Sequence, residues 1–181
     1  MKSKIIKIDC DGVLRDLLTQ MCHVYNEHYN ESINPDDVIY FETEKTFTKC
    51  LEIDNIHPNE WLFQNNSYKL FLDSPVLPNV KDAIALLREK GYYIVIVTNQ
   101  LSLINKTDTL MWLEDNGIYY DSILFTNKKN IIKGDIMVDD NISNLDMCEG
   151  ERKICIKAPY NKEGSGYEYY DSLYDFVKTL D

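Results

Sequence analysis

Two hydrophobic periods divide the chain. Near the N-terminus Ile5, Ile6 and Ile8 form a short apolar run that reads as a buried strand, and Gly12 breaks it. From Leu17 the spacing turns helical: Leu17, Leu18, Met21, Val24 and Tyr25 recur at steps of three and four. Pro35 suits the opening of a short helical turn, and Pro58 the first position of a helical segment running to about Phe63. Over residues 16–74 no strand-like alternation occurs, while aromatic side chains crowd together, among them Tyr25, Tyr29, Phe47, Trp61 and Phe71. This stretch predicts a small helical insertion, with most rings consumed by a thin core and two or three left to face a ligand.

A regular alternation of helices and strands resumes at Pro78. Asn79 is placed to cap a helix whose buried face is Val80, Ala83, Ile84 and Leu87, and Gly91 ends it. The run from Tyr92 to Val97 is continuously apolar, as in strands covered on both faces. A helix capped by Asn105 runs to Asn116 and stops at Gly117. Short strands follow at Ser122 to Phe125, Asp135 to Val138 and Lys153 to Ile156, with a closing helix over about Asp171 to Leu180. The pattern predicts an α/β domain with a parallel sheet, its core formed by residues 1–15 and 75–181 and interrupted by a helical cap over 16–74.

The chain has 181 residues, 44% of them hydrophobic and 27% charged, as expected of one globular domain with a substantial core. Its net charge of −11 argues against a nucleic-acid polymer as partner, because duplex binding needs a basic face. Five cysteines in no regular spacing, with no CxxC pair, predict reduced thiols and a cytoplasmic setting. An N-terminus that enters a core strand directly predicts neither a signal peptide nor a membrane span. The sequence does not fix the oligomeric state, and a homodimer is compatible with it.

The chemistry lies at the ends of the strands. The first delivers Asp9 and Asp11, two residues apart and so on one face, with Cys10 turned the other way into packing. Two carboxylates side by side need a cation or a proton to settle their repulsion, although a strand-end turn with two solvated aspartates fits the same residues. The next strand ends in Thr98 and Asn99, the loop after the third holds Lys129, and the fourth ends in Asp139 and Asp140. In open parallel sheets ligands bind beyond the carboxyl ends of the strands. Four aspartates, a hydroxyl and lysines make a poor core and a good site for Mg²⁺ and a phosphate.

In this order, DCDGV at 9–13, VTN at 97–99, Lys129 and VDDN at 138–141 resemble the four motifs of the haloacid dehalogenase-type phosphatases. The resemblance spans nearly the whole chain and implies a Rossmann-like three-layer core with a cap inserted after the first strand. A narrower likeness, through DGVLRD, VLPNVKDAI, KTDTLMWLEDNG and LFTNKKNIIKGDIMVDDNISNL, is to the 5′(3′)-deoxyribonucleotidase family. Lys129, with Lys128 adjacent and Lys133 nearby, and Asn144 fill that family's lysine and trailing polar positions.

The resemblance implies a nucleophilic Asp9 that forms an aspartyl-phosphate, and Asp11 as general acid and base. It implies Mg²⁺ held by Asp9, Asp140, the backbone carbonyl of Asp11, and Asp139 either directly or through water. Thr98 and Asn99 would hold phosphate oxygens, Lys129 would neutralise charge, and Tyr40 and Phe41 of the cap are the candidates for stacking on a base. The substrate implied is a small phosphate ester, a deoxyribonucleoside monophosphate. His23, His28 and His57 show no ligand spacing, and the tyrosines at 167, 169 and 170 read as packing. The competing readings are a phosphatase for another small ester or for a nucleic-acid 3′-phosphate, and a catalytically idle binding protein of the same fold.

Overall fold

The computed structural model describes residues 3–100, 102–161 and 166–181. Six strands form one parallel sheet: β1 (Ile5–Ile8), β2 (Tyr93–Thr98), β3 (Ser122–Phe125), β4 (Ile136–Asp139), β5 (Arg152–Ile156) and β6 (Glu168–Tyr170), in the order β3-β2-β1-β4-β5-β6. The first strand is therefore central, paired to β2 on one side (Ile8 opposite Ile96) and to β4 on the other (Ile8 opposite Val138). The chain winds outward through β2 and β3, then returns to the far side of β1. This topological switch point between β1 and β4 is where an open α/β sheet leaves its crevice.

Strand alternation sorts the core into two layers. Ile6, Ile8, Ile94, Ile96, Val138 and Ile154 face one side, buried against α5 (Val80–Glu89), α6 (Leu103–Asp115) and α8 (Leu173–Val177). Each such side chain contributes about 1.5–3 kcal/mol by leaving water. Met137 and Cys155 point to the opposite side, where Leu145 of α7 (Ile142–Met147) and Cys148 meet them. Cys10 continues the Ile6–Ile8 face into the core, as alternation requires.

Between β1 and α5 the chain makes α1 (Leu17–Tyr29), α2 (Lys49–Asp54), α3 (Pro58–Glu60), a wider turn over Trp61–Asn65, and α4 (Ser67–Leu72). These pack around a separate aromatic centre in which Tyr25 contacts Tyr29, Phe47 and Trp61, with ring centroids 4.8, 5.0 and 6.1 Å away. The segment leaves and rejoins the core through adjoining strands of backbone: Asp16 N donates to Pro75 O at 2.8 Å and Leu77 N to Leu14 O at 2.9 Å.

Three local expectations are corrected. Helix α6 begins earlier than expected, because Ser102 rather than Asn105 caps it: Ser102 Oγ accepts from Asn105 N at 3.0 Å. Asn79 does precede α5 but sits in a left-handed conformation (φ 59°), and its side chain makes no cap bond. The closing helix is confined to Leu173–Val177, and just before it the sixth strand was not anticipated. Tyr167 and Tyr169 pack beside the Met137–Cys155 layer, and Tyr170 lies against Phe176. Among the described residues no helix is long and apolar enough to cross a membrane.

Candidate active site

β1 and β4 bring their last residues together because they are neighbours in register. Asp9 N donates to Val138 O at 2.9 Å, which sets Asp9 beside Asp139 and Asp140. One carboxylate oxygen from each of these three buried residues falls within a 4.8 Å group. The turn after β1 allows this approach: Gly12 has φ +77°, and a Cβ there would lie 2.0 Å from Asp140 Oδ2. No residue but glycine fits that cradle.

Lys129 lies between the two strands' acids. Its ammonium is 2.8 Å from Asp9 Oδ2 and 2.7 Å from Asp139 Oδ2, and its side chain is buried, whereas Lys128 and Lys133 are exposed. The loop carrying it is held from below by Lys7 of β1, a fully buried lysine. Lys7 Nζ donates to Lys129 O at 2.8 Å and Ile132 O at 3.0 Å and pairs with Glu151 at 2.8 Å. Asp139 is fixed further by Asn141 N at 2.9 Å and Asn144 Nδ2 at 3.0 Å, both on Oδ1. Asp140 receives the Tyr160 hydroxyl on Oδ2, while Asn161 Nδ2 donates to its carbonyl at 2.7 Å.

The cluster carries more negative charge than its one ammonium offsets. Burial, reinforced by Asp139, Asp140 and Asp11, raises the Asp9 carboxyl well above the usual range despite Lys129. Burial and the Asp139 charge push Asp140 up to about 7. The same fields push Lys129 upward, so it stays an ammonium, and burial beside Asp140 keeps the Tyr160 hydroxyl protonated as a donor. Three crowded carboxylates with oxygen donors only are suited to a hard dication such as Mg²⁺.

Asp11 stands apart from that group. Its carboxylate receives Arg15 Nε and Nη2 on Oδ1, each at 2.7 Å, and Gln100 Nε2 on Oδ2 at 2.8 Å. Arg15 is itself fully buried at the junction with the helical segment. It donates to Phe71 O at 3.1 Å and Thr109 Oγ1 at 3.2 Å, and its guanidinium lies 4.7 Å from the centre of the Phe71 ring.

Asp9, Asp11, Gln100, Lys129 and Asp140 line a cleft of about 820 Å³ between the sheet and the helical segment. Thr98 reaches it from the end of β2, and its buried hydroxyl has no hydrogen-bond partner among the described residues. A buried orphan hydroxyl costs about 1–3 kcal/mol unless something satisfies it. Asn99 is exposed and lines the same cleft. On the side of the helical segment Tyr40, Phe41, Phe47, Phe63 and Phe71 border it. Tyr40 also lies beneath Lys45, with the ammonium 4.7 Å from the ring centre.

Sequence reasoning missed Arg15, Gln100, Lys7, Tyr160 and Asn161. Gln100 directly follows the VTN motif and Arg15 lies within the DGVLRD stretch, so both were within reach of a signal; Lys7, Tyr160 and Asn161 lie in none of these stretches. A buried arginine or lysine contradicts the usual surface preference of these residues, and Tyr160 lies beyond the last recognised strand end.

Comparison with known proteins agrees with this geometry. The family model described as 5′ nucleotidase, deoxy (Pyrimidine), cytosolic type C protein matches residues 3–179. The chain is similar to the 5′(3′)-deoxyribonucleotidase of Bacillus subtilis (strain 168), 30% identical over 165 residues covering 88% of each chain. It is also similar to the 5′(3′)-deoxyribonucleotidase of Clostridium acetobutylicum, 26% identical, covering 98% of this chain and 100% of that one. Among solved structures, CbbY from Rhodobacter sphaeroides in complex with phosphate superposes with a TM-score of 0.61 at 16% identity, covering 97% of this chain and 96% of the other. A dehalogenase with intermediate complex gives 0.63 at 14%, with 98% and 97% covered. The chain belongs to the 5′ nucleotidase, deoxy (pyrimidine), cytosolic type C family and has the haloacid dehalogenase-type phosphatase fold.

Proposed function

We propose that the protein is a Mg²⁺-dependent phosphomonoesterase that hydrolyses nucleoside monophosphates, deoxyribonucleotides foremost, through a phosphorylated Asp9. The observation carrying this reading is a cluster of three buried carboxylates, two of them paired with Lys129, beside a buried Thr98 hydroxyl that has no hydrogen-bond partner among the described residues. A bound Mg²⁺ would be held by Asp9, Asp139, Asp140 and the Asp11 carbonyl, and would neutralise charge on the phosphoryl group.

Thr98 and Asn99 bind phosphate oxygens, and Lys129 offsets the charge of nucleophile and phosphate together, which is most of what phosphoryl transfer asks of a protein. An Asp9 oxygen attacks phosphorus as the ester oxygen leaves, taking a proton from Asp11. Asp11 then accepts a proton from water, whose oxygen attacks the same phosphorus and frees Asp9 and inorganic phosphate. Arg15 and Gln100 fix the Asp11 carboxyl for both transfers.

The substrate class rests on the names of the relatives and on the cleft, whose volume and aromatic cap wall suit a base and sugar. A net charge of −11 disfavours a polymeric substrate. Five unpaired, buried cysteines support a reducing compartment, the cytoplasm. The test is phosphate release from a panel of deoxy- and ribonucleoside monophosphates and sugar phosphates, with Mg²⁺ and with chelator. Mg²⁺-dependent release, highest on deoxyribonucleotides and lost in Asp9→Asn, is expected. Release from no nucleoside monophosphate overturns the reading.

A further inference from the structure

The loop after β5 contributes to this site although none of the four motifs includes it. Asn161 folds the loop back on itself: its Nδ2 bridges Ile156 O at 2.8 Å and Asp140 O at 2.7 Å, while its Oδ1 accepts from Ala158 N at 3.0 Å. That fold presents Tyr160, half-buried, at the rim of the cleft. The hydroxyl donates to Asp140 Oδ2, the oxygen already pressed against Gly12. The ring meets Phe41 of the cap edge-on, with centroids 5.5 Å apart and planes at 76°.

Asp140 is thus gripped from three directions: Gly12 below Oδ2, the Tyr160 hydroxyl on the same oxygen, and Asn161 on the backbone carbonyl. Asp9 and Asp139 are oriented by Lys129, which belongs to the charge chemistry of the site. Asp140 has no comparable contact with that ammonium among its hydrogen bonds. Its orientation falls to a neutral donor, which holds the carboxylate without cancelling the charge a cation needs. Hydrogen bonds of this kind to a ligating carboxylate orient the ligand and raise metal affinity.

We propose that Tyr160 is a positioning residue for the divalent-cation site, its hydroxyl holding Asp140 in the orientation that binds the ion. The ring contact with Phe41 keeps that hydroxyl in place from the cap side, so the cap supports the ion site through one aromatic pair. This inference rests on the reading that Asp140 holds a divalent cation.

Calorimetric titration of the full chain with Mg²⁺ alone tests it, without reference to turnover. Tyr160→Phe keeps the ring and its Phe41 contact and removes only the donor. The Mg²⁺ dissociation constant is expected to rise about 10- to 100-fold, while the melting temperature in chelator matches the native protein. An unchanged dissociation constant overturns the proposal. Should Tyr160→Phe melt early, Tyr160→Met provides a second hydroxyl-free variant: weakened binding in both supports the hydroxyl's role, and native affinity in either refutes it. Asp140→Asn separates the two levels of the argument. If the native chain binds Mg²⁺ and Asp140→Asn does not, a native-like Tyr160→Phe removes the positioning role alone. If the native chain binds no Mg²⁺, the cation reading and this proposal fall together.

Discussion

The two walls of the cleft are built on opposite plans. The sheet wall is charged, with Asp9, Asp139 and Asp140 placed by strand register and Lys129 tying Asp9 to Asp139 through contacts of 2.8 and 2.7 Å. The cap wall is aromatic, with Tyr40, Phe41 and Phe47 on irregular segments and Phe71 on α4, and its outermost ring, Phe41, remains 58% exposed. Parallel strands put their ends in fixed places, so chemistry that depends on position belongs there. A wall of rings over the opening suits selection among substrates, where contact area counts for more than exact placement. If that division is right, damage to the sheet wall should abolish turnover for every substrate, and damage to the cap wall should change preference only.

Asp9→Asn should show the first half most strongly. Activity on every phosphate ester should fall by about 10⁴-fold or more, as when a nucleophile is removed. The same substitution should raise the melting temperature in chelator, because Asp9 is a buried acid whose ionisation the fold opposes. Activity lost together with stability would mean that the carboxylate is structural. Next in size is Lys129→Met, which leaves three buried carboxylates with no ammonium. About 3–5 kcal/mol of stability should be lost in chelator, and Mg²⁺ should restore part of it; equal losses with and without Mg²⁺ would contradict a shared charge role.

The pH dependence of metal-free stability sharpens the comparison. Asp140 is raised, to about 7, so the folded state holds a proton that the unfolded state releases. Stability from this group is therefore greatest at low pH and declines as pH rises from the unfolded carboxyl range of about 4 toward 7. Melting curves in chelator should show the native protein losing stability across that window relative to Asp140→Asn, with little difference once Mg²⁺ is added. Parallel curves for the two proteins would show that Asp140 is not strained by its neighbours.

The same division explains how much the sequence disclosed. Asp9, Asp139, Asp140 and Thr98 were legible because apolar runs mark strands and parallel strands aim their ends at one crevice. Lys129 was legible within a group of three lysines, and burial distinguishes it from Lys128 and Lys133. Arg15 lies in the DGVLRD stretch, but nothing in that stretch marks it as buried; it packs against Phe71 and Trp112, a contact that exists only once cap and core meet. Tyr160 depends on a loop folded by Asn161, which has no periodic signature. The edge strand Glu168–Tyr170 is too short to show alternation, and its pairing is reinforced by Arg152 with Glu168 at 2.6 Å. Ser102 and Asn105 are both good caps three residues apart, so local chemistry alone did not decide between them.

The smallest effect is also the most direct test of the cap. Phe41→Ala removes one exposed ring on a loop, touching neither Lys129 nor the acid cluster. Stacking of a ring on a base is worth about 0.5–1.5 kcal/mol beyond its area, so KM for a deoxyribonucleoside monophosphate should rise about two- to tenfold with kcat nearly unchanged. A small chromogenic phosphate without a base should show no such rise at saturating Mg²⁺. That contrast matters because Phe41 also supports Tyr160: a ring acting only through the ion site would weaken both substrates alike at limiting Mg²⁺ and neither at saturation. A selective KM effect that persists at saturating Mg²⁺ would assign Phe41 to the base, and a uniform one would leave substrate selection to the deeper rings Phe47, Phe63 and Phe71.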